Sequence, residues 1–428
     1  MTHVDRSLVQ RKLGFIETSM ALMHQYGNGT TQGVISVQVD FKIDAERFNI
    51  AVAKVHRAFA ILRCTLIEAE DGLYFYENVA VENCLLDPVH TANHREWISI
   101  EDTLVHDPID RNRRLWSAGL IYSQDLACSK ILLVSHHALF DAQGAVTVFN
   151  ALLTYLDNPD AVIDLPDSLT ISPPLDQFLM EPTAIASPQP TEVSPVPYHQ
   201  NSALSDRRTC YYRVKLARES IEEIEAYSAA ESISAQALIS AAYVLAILEV
   251  DQSAPQVDFK TAVALRELIA DAGDLKDAIS CYIGISESHV TRNTTTLGDI
   301  ARSIQAQNLN FVIERCLYRV PFTVSGLTSR IQALSENSHF IGYALTHIGR
   351  LQINPTCGGI ALGELTILTN RVIGNYAITL QILEQESFTT FDFIYVSPLL
   401  SPQRVREIAQ AFRQIIGNLN AIRHAVPN

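Results

Sequence analysis

Apolar and polar positions along the chain fall into short blocks whose period switches repeatedly between helix-like and strand-like. Between Arg6 and Tyr26, Leu8, Leu13, Ile16, Met20 and Met23 recur at three- to five-residue spacing, which predicts an amphipathic helix ended by Gly27-Asn28-Gly29. Val34 to Phe41 (VISVQVDF) is rich in β-branched residues and partly alternates, so it predicts a strand, and Asp44 is placed to cap a helix running to about His56. Strands are expected at Leu62 to Glu68 and Leu73 to Tyr76. An irregular charged stretch then leads to Arg114, followed by a strand at Leu115 to Tyr122, the uniformly apolar strand Ile131 to Ser135, and a helix from about Ala145 to Tyr155.

The segment Pro166 to Pro197 holds 8 of the 17 prolines, interleaved with Ser and Thr, and sustains neither period. It reads as a crossover that passes outside the rest of the chain. The mixed grammar then resumes: strand Tyr211 to Leu216, helices Ile221 to Ala229 and Ala235 to Glu249, strand Phe259 to Leu265, and a helix near Leu297 to Val312. Strands at Gly342 to His347, Ile360 to Leu368, Ala377 to Leu383 and Thr389 to Tyr395 precede a last helix, Gln403 to Ile416. The expected organisation is therefore a mixed α/β chain with an N-terminal lobe at 1–165, a Pro-rich crossover at 166–205 and a C-terminal lobe at 206–428.

Composition narrows the function classes. A chain of 428 residues is too long for one ordinary core, and 47% hydrophobic with 18% charged residues excludes a disordered protein. The net charge of −15 and the scattered basic residues, of which Arg111, Arg113 and Arg114 form the densest run, argue against a nucleic-acid partner. Seven cysteines, far apart and never in a C-x-x-C pair, argue against a zinc site or a disulfide framework and fit a reducing cytoplasm. The start of the chain lacks a basic segment followed by an apolar one, and the apolar stretch Ile233 to Val250 is interrupted by Ser234, Gln236 and Ser240, so no membrane span is expected.

No G-x-S-x-G, H-E-x-x-H, P-loop or Ca²⁺-loop signature occurs, and Gly27 to Gly33 has the wrong spacing and context for a dinucleotide loop. The informative segment is Ile131-Leu-Leu-Val-Ser135-His136-His137-Ala-Leu-Phe140-Asp141-Ala142-Gln-Gly144. An apolar strand delivers two histidines at its end, where an imidazole can face a cleft and take a proton near neutral pH. Asp141 could bond that ring or fold back to hold the loop, and a satisfied core histidine beside a solvated one is the bland alternative. Cys357-Gly-Gly359 reads as a loop thiol with no base placed beside it, Trp116 and Tyr74 to Tyr76 as packing, and Tyr282 and His289 have no assigned place.

The string resembles the H-H-x-x-x-D-G motif of the chloramphenicol acetyltransferase-like superfamily, which includes peptide-synthetase condensation domains and stand-alone polyketide-associated acyltransferases. Val55 to Leu66 is similar to the family's R-H-x-x-L-R-T-x-F segment with one extra residue between His56 and Leu62. Asp107 to Trp116 resembles its P-x-D-x-x-x-x-P-L-W run, Arg6 to Glu17 its opening helix, and Val263-Ala-Leu-Arg266 its V-x-L-R strand. Two departures stand out. Ala142 replaces the motif glycine, with Gly144 two places on, and the second-lobe S-N-x-G run is Thr346-His347-Ile348-Gly349.

The resemblance implies two similar lobes forming a V around a central tunnel. It implies an acyltransferase that moves an acyl group from a thioester to a hydroxyl or amine, with ester formation favoured, in polyketide, lipid or peptide natural-product biosynthesis. His137 would be the general base. His136, Asp141, Gly144 and Arg63 would be structural, with Arg63 the favoured partner of Asp141 and Arg266 the second choice. His347 and Arg266 would face the cleft from the second lobe. No bound cofactor or metal is implied; the donor would be acyl-CoA or the phosphopantetheine arm of an acyl carrier protein, and the acceptor a small alcohol or amine. A non-catalytic docking module and a cyclase reusing the same cleft are the competing readings.

Overall fold

The apolar run ending at Ser135 becomes the middle of a sheet covered on both faces, which is why it shows no alternation. The computed structural model describes residues 8–163, 170–181, 194–269, 275, 278–293, 296–351 and 362–419. In chain order the first part holds β1 (Val9–Lys12), α1 (Phe15–Tyr26), β2 (Gly33–Val39), α2 (Ala45–Ala58), β3 (Cys64–Ala69), β4 (Gly72–Glu77), β5 (Val89–Thr91), α3 (Trp97–His106), β6 (Trp116–Ser123), β7 (Ser129–Ser135) and α4 (Ala142–Asp157). The second part holds β8 (Val196–Pro197), β9 (Arg208–Ala217), α5 (Arg218–Ala230), α6 (Ala235–Val250), β10 (Gln256–Ala264), β11 (Ile283–Thr291), α7 (Leu297–Glu314) and α8 (Val324–Glu336). It ends with β12 (His339–Phe340), β13 (Tyr343–Arg350), β14 (Leu362–Thr369), β15 (Thr379–Glu384), β16 (Phe388–Ser397) and α9 (Pro402–Gly417).

The first sheet runs β14-β2-β7-β6-β5. Ile131 and Leu133 of β7 join a cluster with Phe48, Val52 and Val55 of α2 and Val148 and Phe149 of α4, whereas Leu132 and Val134 pack with Trp97 and Val105 of α3. Asp44 does cap α2, accepting a hydrogen bond from the Arg47 amide at 2.9 Å. The second sheet runs β11-β10-β13-β15-β16-β9, with β10, β13 and β15 parallel and the remaining pairs antiparallel. α6 packs against α7, α9 and α5 and is buried nearly all round, so its continuous apolarity reflects a core position. No single helix among the described residues is long and apolar enough to cross a membrane.

One strand breaks the division of the chain into two successive lobes. β14, from the second half, pairs antiparallel with β2, from Leu362 opposite Val39 to Thr369 opposite Gly33, while Gln381 of β15 donates to the Ile367 carbonyl of β14 at 2.9 Å. The second half thus adds an edge strand to the first sheet and ties the two together.

Several local expectations are corrected. The stretch from Arg6 is not one helix: β1 pairs with β4 first, and α1 starts at Phe15 after Gly14, whose amide donates to Glu17 at 2.9 Å. The charged stretch before Arg114 contains α3, and β11 and α8 were not anticipated. The described part of the Pro-rich segment does not stay outside. Leu175 is buried, Asp176 accepts from the Phe15 amide at 2.9 Å, and the Pro173 carbonyl accepts from the Tyr282 hydroxyl at 2.8 Å. Cys357 to Gly359 lies outside the described residues.

Candidate active site

β7 ends at Ser135, and the chain turns so that the two histidines take opposite roles. The His136 amide donates to the Leu115 carbonyl at 2.8 Å, and its Nδ1 accepts from the Ala138 amide at 3.1 Å. Its ring is fully buried and packs at a tilt of 39° against His24 with centroids 4.4 Å apart. His24 in turn meets Gln32 at 3.2 Å, and Gln32 holds the α3 C-terminus through the Leu104 and Asp107 carbonyls. His136 is therefore part of the packing behind the site.

His137 points the other way, into a cavity of about 760 Å³ lined from both halves of the chain. The first half contributes Thr31, Gly33 and Ile35 around β2, Ser135, and the start of α4. The second contributes β10, Thr346 and His347 of β13, Ile367 and Thr369 of β14, Arg371, Tyr376, and Gln381 of β15. The His137 Nδ1 is buried without a hydrogen-bond partner among the described residues, so Nε2 is the ring nitrogen that the cavity can reach. Burial holds the His137 pKa below the ordinary histidine value of 6.5, and the Arg371 charge pushes the same way. The His137 and Phe140 backbone carbonyls, as acceptors near the ring, and the Asp141 charge oppose that shift. The ring is thus neutral at pH 7, the state a general base needs.

Asp141 holds the loop. Its Oδ1 caps α4 by accepting from the Gly144 amide at 2.9 Å and takes the Arg266 Nη2 donor at 2.8 Å, while Oδ2 accepts from the Tyr282 amide at 3.0 Å. The Asp141 amide donates to the Ser280 carbonyl. Arg266 also donates to the Leu275, Ala278 and Ser280 carbonyls and lies over the Tyr282 ring. One carboxylate therefore caps a helix of the first half and clamps a loop of the second.

The favoured partner from the sequence, Arg63, is corrected. It sits where a short 3-10 turn enters β3, and the β3–β4 register puts Glu77 opposite Cys64, so Arg63 bonds Glu77 at 2.6 Å and the Arg57 carbonyl at 2.7 Å. The local hairpin supplies its carboxylate, and the second choice, Arg266, is the one that reaches Asp141.

Both sequence departures find a structural reason. Ala142 is the first residue of α4 and has no positive φ, so an alanine is unstrained there. Gly144 is the glycine that matters, because a Cβ there would lie 2.6 Å from the Phe140 Cβ. Gly144→Ala is expected to cost about 1 to 3 kcal/mol by overpacking, whereas Ala142→Gly stays within about 1 kcal/mol; urea unfolding of the two variants checks the contrast. In the Thr346 to Gly349 run the β13–β15 register shifts between His347 and Gly349, and Gly349 takes a φ of 72°. His347 lines the cavity but turns its Nε2 to Glu384 at 2.9 Å, a bond that holds the Glu384 carboxyl below its ordinary range.

His137, Asp141, Arg266 and His347 therefore share one cavity wall, Gly144 supports it from within α4, and Arg63 lies elsewhere. Arg371, Tyr376, Thr31 and Gln381 were missed. A signal existed for the first: Arg371 is the lone charged residue between Glu364 and Glu384. Among the described residues no group of three His, Cys, Asp or Glu side chains could hold a metal ion.

Burial behind the site has a consequence for acid stability. Burial lowers the pKa of His136 and His56 and brings His24 from 6.5 down to about 4. Each ring binds a proton near pH 6.5 in the unfolded chain but not in the folded one. Their contribution is complete above that pH and is lost as pH falls toward 4; for His24 alone it amounts to about 3 kcal/mol. The urea midpoint should fall between pH 7 and 4.5, and His24→Asn should flatten that fall. Parallel curves for variant and wild type would contradict it.

A second cavity, of about 600 Å³, is lined by Phe15, Leu175, Leu179, Phe311 and neighbours and shares Ile283 and Ile285 with the first.

No protein-family model matches the sequence, and no curated protein matches it either. Solved structures do. The trichothecene 15-O-acetyltransferase TRI3 from Fusarium sporotrichioides superposes with a TM-score of 0.73 at 13% identity over 98% of this chain and 97% of that one. The epimerization domain of the third module of tyrocidine synthetase B gives 0.69 at 12% identity over 99% of both chains. Polyketide synthase associated protein 5 from Mycobacterium tuberculosis gives 0.67 at 14% identity over 96% and 98%. Agreement at such identities concerns architecture, and it extends over whole chains: the protein has the chloramphenicol acetyltransferase-like fold.

Proposed function

We propose that the protein transfers an acyl group from a thioester to a hydroxyl or amine, with ester formation favoured, and that His137 is its general base. The observation that carries this reading is the His137 imidazole at the wall of a cavity formed by both halves of the chain, with burial favouring its neutral form. Nε2 removes the acceptor's O–H or N–H proton as the acceptor heteroatom attacks the thioester carbonyl. The tetrahedral intermediate collapses with loss of the thiolate, and the imidazolium returns the proton to sulfur. No acyl-enzyme forms. Proton transfer by a positioned base supplies about 10²- to 10⁴-fold, and holding both reactants in one cavity supplies the larger remaining share.

The donor is an acyl carrier protein's phosphopantetheine thioester or acyl-CoA, and the setting is polyketide, lipid or peptide natural-product biosynthesis in the cytoplasm. The apolar side of the second cavity, formed by Phe15, Leu175, Leu179 and Phe311, supports a donor with an extended acyl chain. Purified protein is to be mixed with a panel of acyl-CoA and acyl-carrier donors, with and without alcohols and amines. Acceptor-dependent formation of ester or amide supports the proposal. Turnover of a tethered substrate with no acceptor added would favour a cyclase, and biological output unaffected by His137→Ala would favour a docking module.

A further inference from the structure

The cavity holds four cationic side chains or imidazoles besides His137, and three of them are paired. Arg266 meets Asp141, Lys260 meets Glu287, and His347 meets Glu384. Arg371 is the exception: among the described residues it has no carboxylate partner, and its Nε is buried with no hydrogen bond. Burial pushes its pKa down, and the groups that favour its charge are the Tyr376 and Tyr211 phenols. A guanidinium remains charged at pH 7 all the same. Glu267, the remaining acid on the cavity wall without an ion pair, is exposed.

Arg371 is also rigidly placed. Its amide donates to the Thr209 hydroxyl at 2.8 Å. On one side the Asn370 side chain donates to the Val105 carbonyl and accepts from the Val372 amide, and the Asn370 carbonyl accepts from the Thr31 amide. On the other, the Ile373 amide donates to the Thr30 hydroxyl at 3.0 Å. The segment is thus clamped between the two halves of the molecule. Tyr376, on the same wall, makes no hydrogen bond through its hydroxyl to the described residues. A half-buried cation on a fixed backbone, with its Nε buried and no counter-charge beside it, costs stability unless something neutralises it, and a planar guanidinium suits a carboxylate held through two hydrogen bonds.

We infer that Arg371, assisted by the Tyr376 hydroxyl, binds a carboxylate on the acceptor, so that the acceptor class is hydroxy acids or amino acids in place of neutral alcohols. The inference rests on the proposed acyl transfer for the word acceptor, but the site itself is a binding site and is testable without turnover. Because Arg371 and His137 line one cavity, a carboxylate on Arg371 leaves a hydroxyl or amine on the same small molecule free to meet Nε2.

The test is calorimetric titration of 3-hydroxy acids, from short to long chain, against their primary amides and methyl esters, with no donor present. Wild-type protein should bind at least one acid about 10- to 100-fold more tightly than its amide, the range for a charge-assisted hydrogen bond. Arg371→Gln should abolish that preference, Arg371→Lys should keep part of it, and Arg302→Gln on the surface should leave it intact. Equal affinity for acid and amide in wild type, or no binding of any acid, overturns the inference and needs no variant to fold. It is equally overturned if Arg371→Gln removes binding of inorganic phosphate or coenzyme A and leaves the acids unaffected, since the site would then read a phosphate. Acyl transfer to neutral alcohols alongside absent acid preference would sink this inference and leave the transfer reaction standing.

Discussion

Asp141→Asn is expected to lower folding stability by about 3 to 5 kcal/mol, the cost of leaving one member of a buried ion pair without its partner. The side chains of Asp141 and Arg266 are only 8% and 9% exposed. Asparagine has one acceptor oxygen, so it can keep the Gly144 amide or the Tyr282 amide but not both, and the change removes a hydrogen bond together with the charge. Arg266→Ala should cost a similar amount, because it leaves the carboxylate buried and also frees the Leu275, Ala278 and Ser280 carbonyls. Arg63→Ala removes a half-buried pair with Glu77 and should cost about 0 to 1 kcal/mol. Urea unfolding of the three variants at pH 7 is the measurement. Similar losses for Arg63→Ala and Arg266→Ala would contradict the assignment, as would Asp141→Asn that unfolds like wild type while losing all turnover.

His137→Ala should reduce kcat/KM for acyl transfer by about 10²- to 10⁴-fold with little loss of stability, since the ring faces a cavity. His136→Ala should show the reverse emphasis. It deletes a fully buried ring packed against His24 and leaves the Ala138 amide without its acceptor, so stability falls by about 2 to 5 kcal/mol and activity follows only as far as folding does. The pH profile separates the two further. Because burial and Arg371 keep the His137 pKa below 6.5, the acid limb of kcat/KM should be centred below pH 6.5. Equal activity losses from both alanine variants, or an acid limb centred above pH 7, would count against His137 as the base.

The sequence disclosed the fold where local physics and tertiary packing agree. β7 was legible because a strand covered by α2 and α4 on one face and α3 on the other has no polar face, and α2 because Asp44 both starts and caps it. The opening helix was misread at its start, where Val9–Lys12 forms β1 and pairs with β4. β14 was expected as a strand, but its partner, more than 320 positions away in β2, is a matter of topology that no local pattern carries. The site followed the same rule. His137 and Asp141 share a short motif and were visible together. The choice between Arg63 and Arg266 depended on which carboxylate the folded chain brings nearest, and the β3–β4 register decided it in favour of Glu77 for Arg63. Arg371 escaped notice because a lone arginine between apolar strands acquires meaning only when its neighbours prove to offer no counter-charge.

The central claim is direct transfer in this cavity with His137 as base, and intact-mass measurement of every protein in a single-turnover reaction tests it most directly. Acyl carrier protein loaded with a donor accepted in the panel, or acyl-CoA, is mixed with excess enzyme and acceptor, and the acyl mass is followed on carrier, enzyme and product. Wild type is expected to strip the acyl group only when acceptor is present, with the mass passing to the product and never appearing on the enzyme, while His137→Ala leaves the donor loaded over the same interval. Acyl mass on the enzyme, or acceptor-dependent loss from His137→Ala at the wild-type rate, would contradict the account.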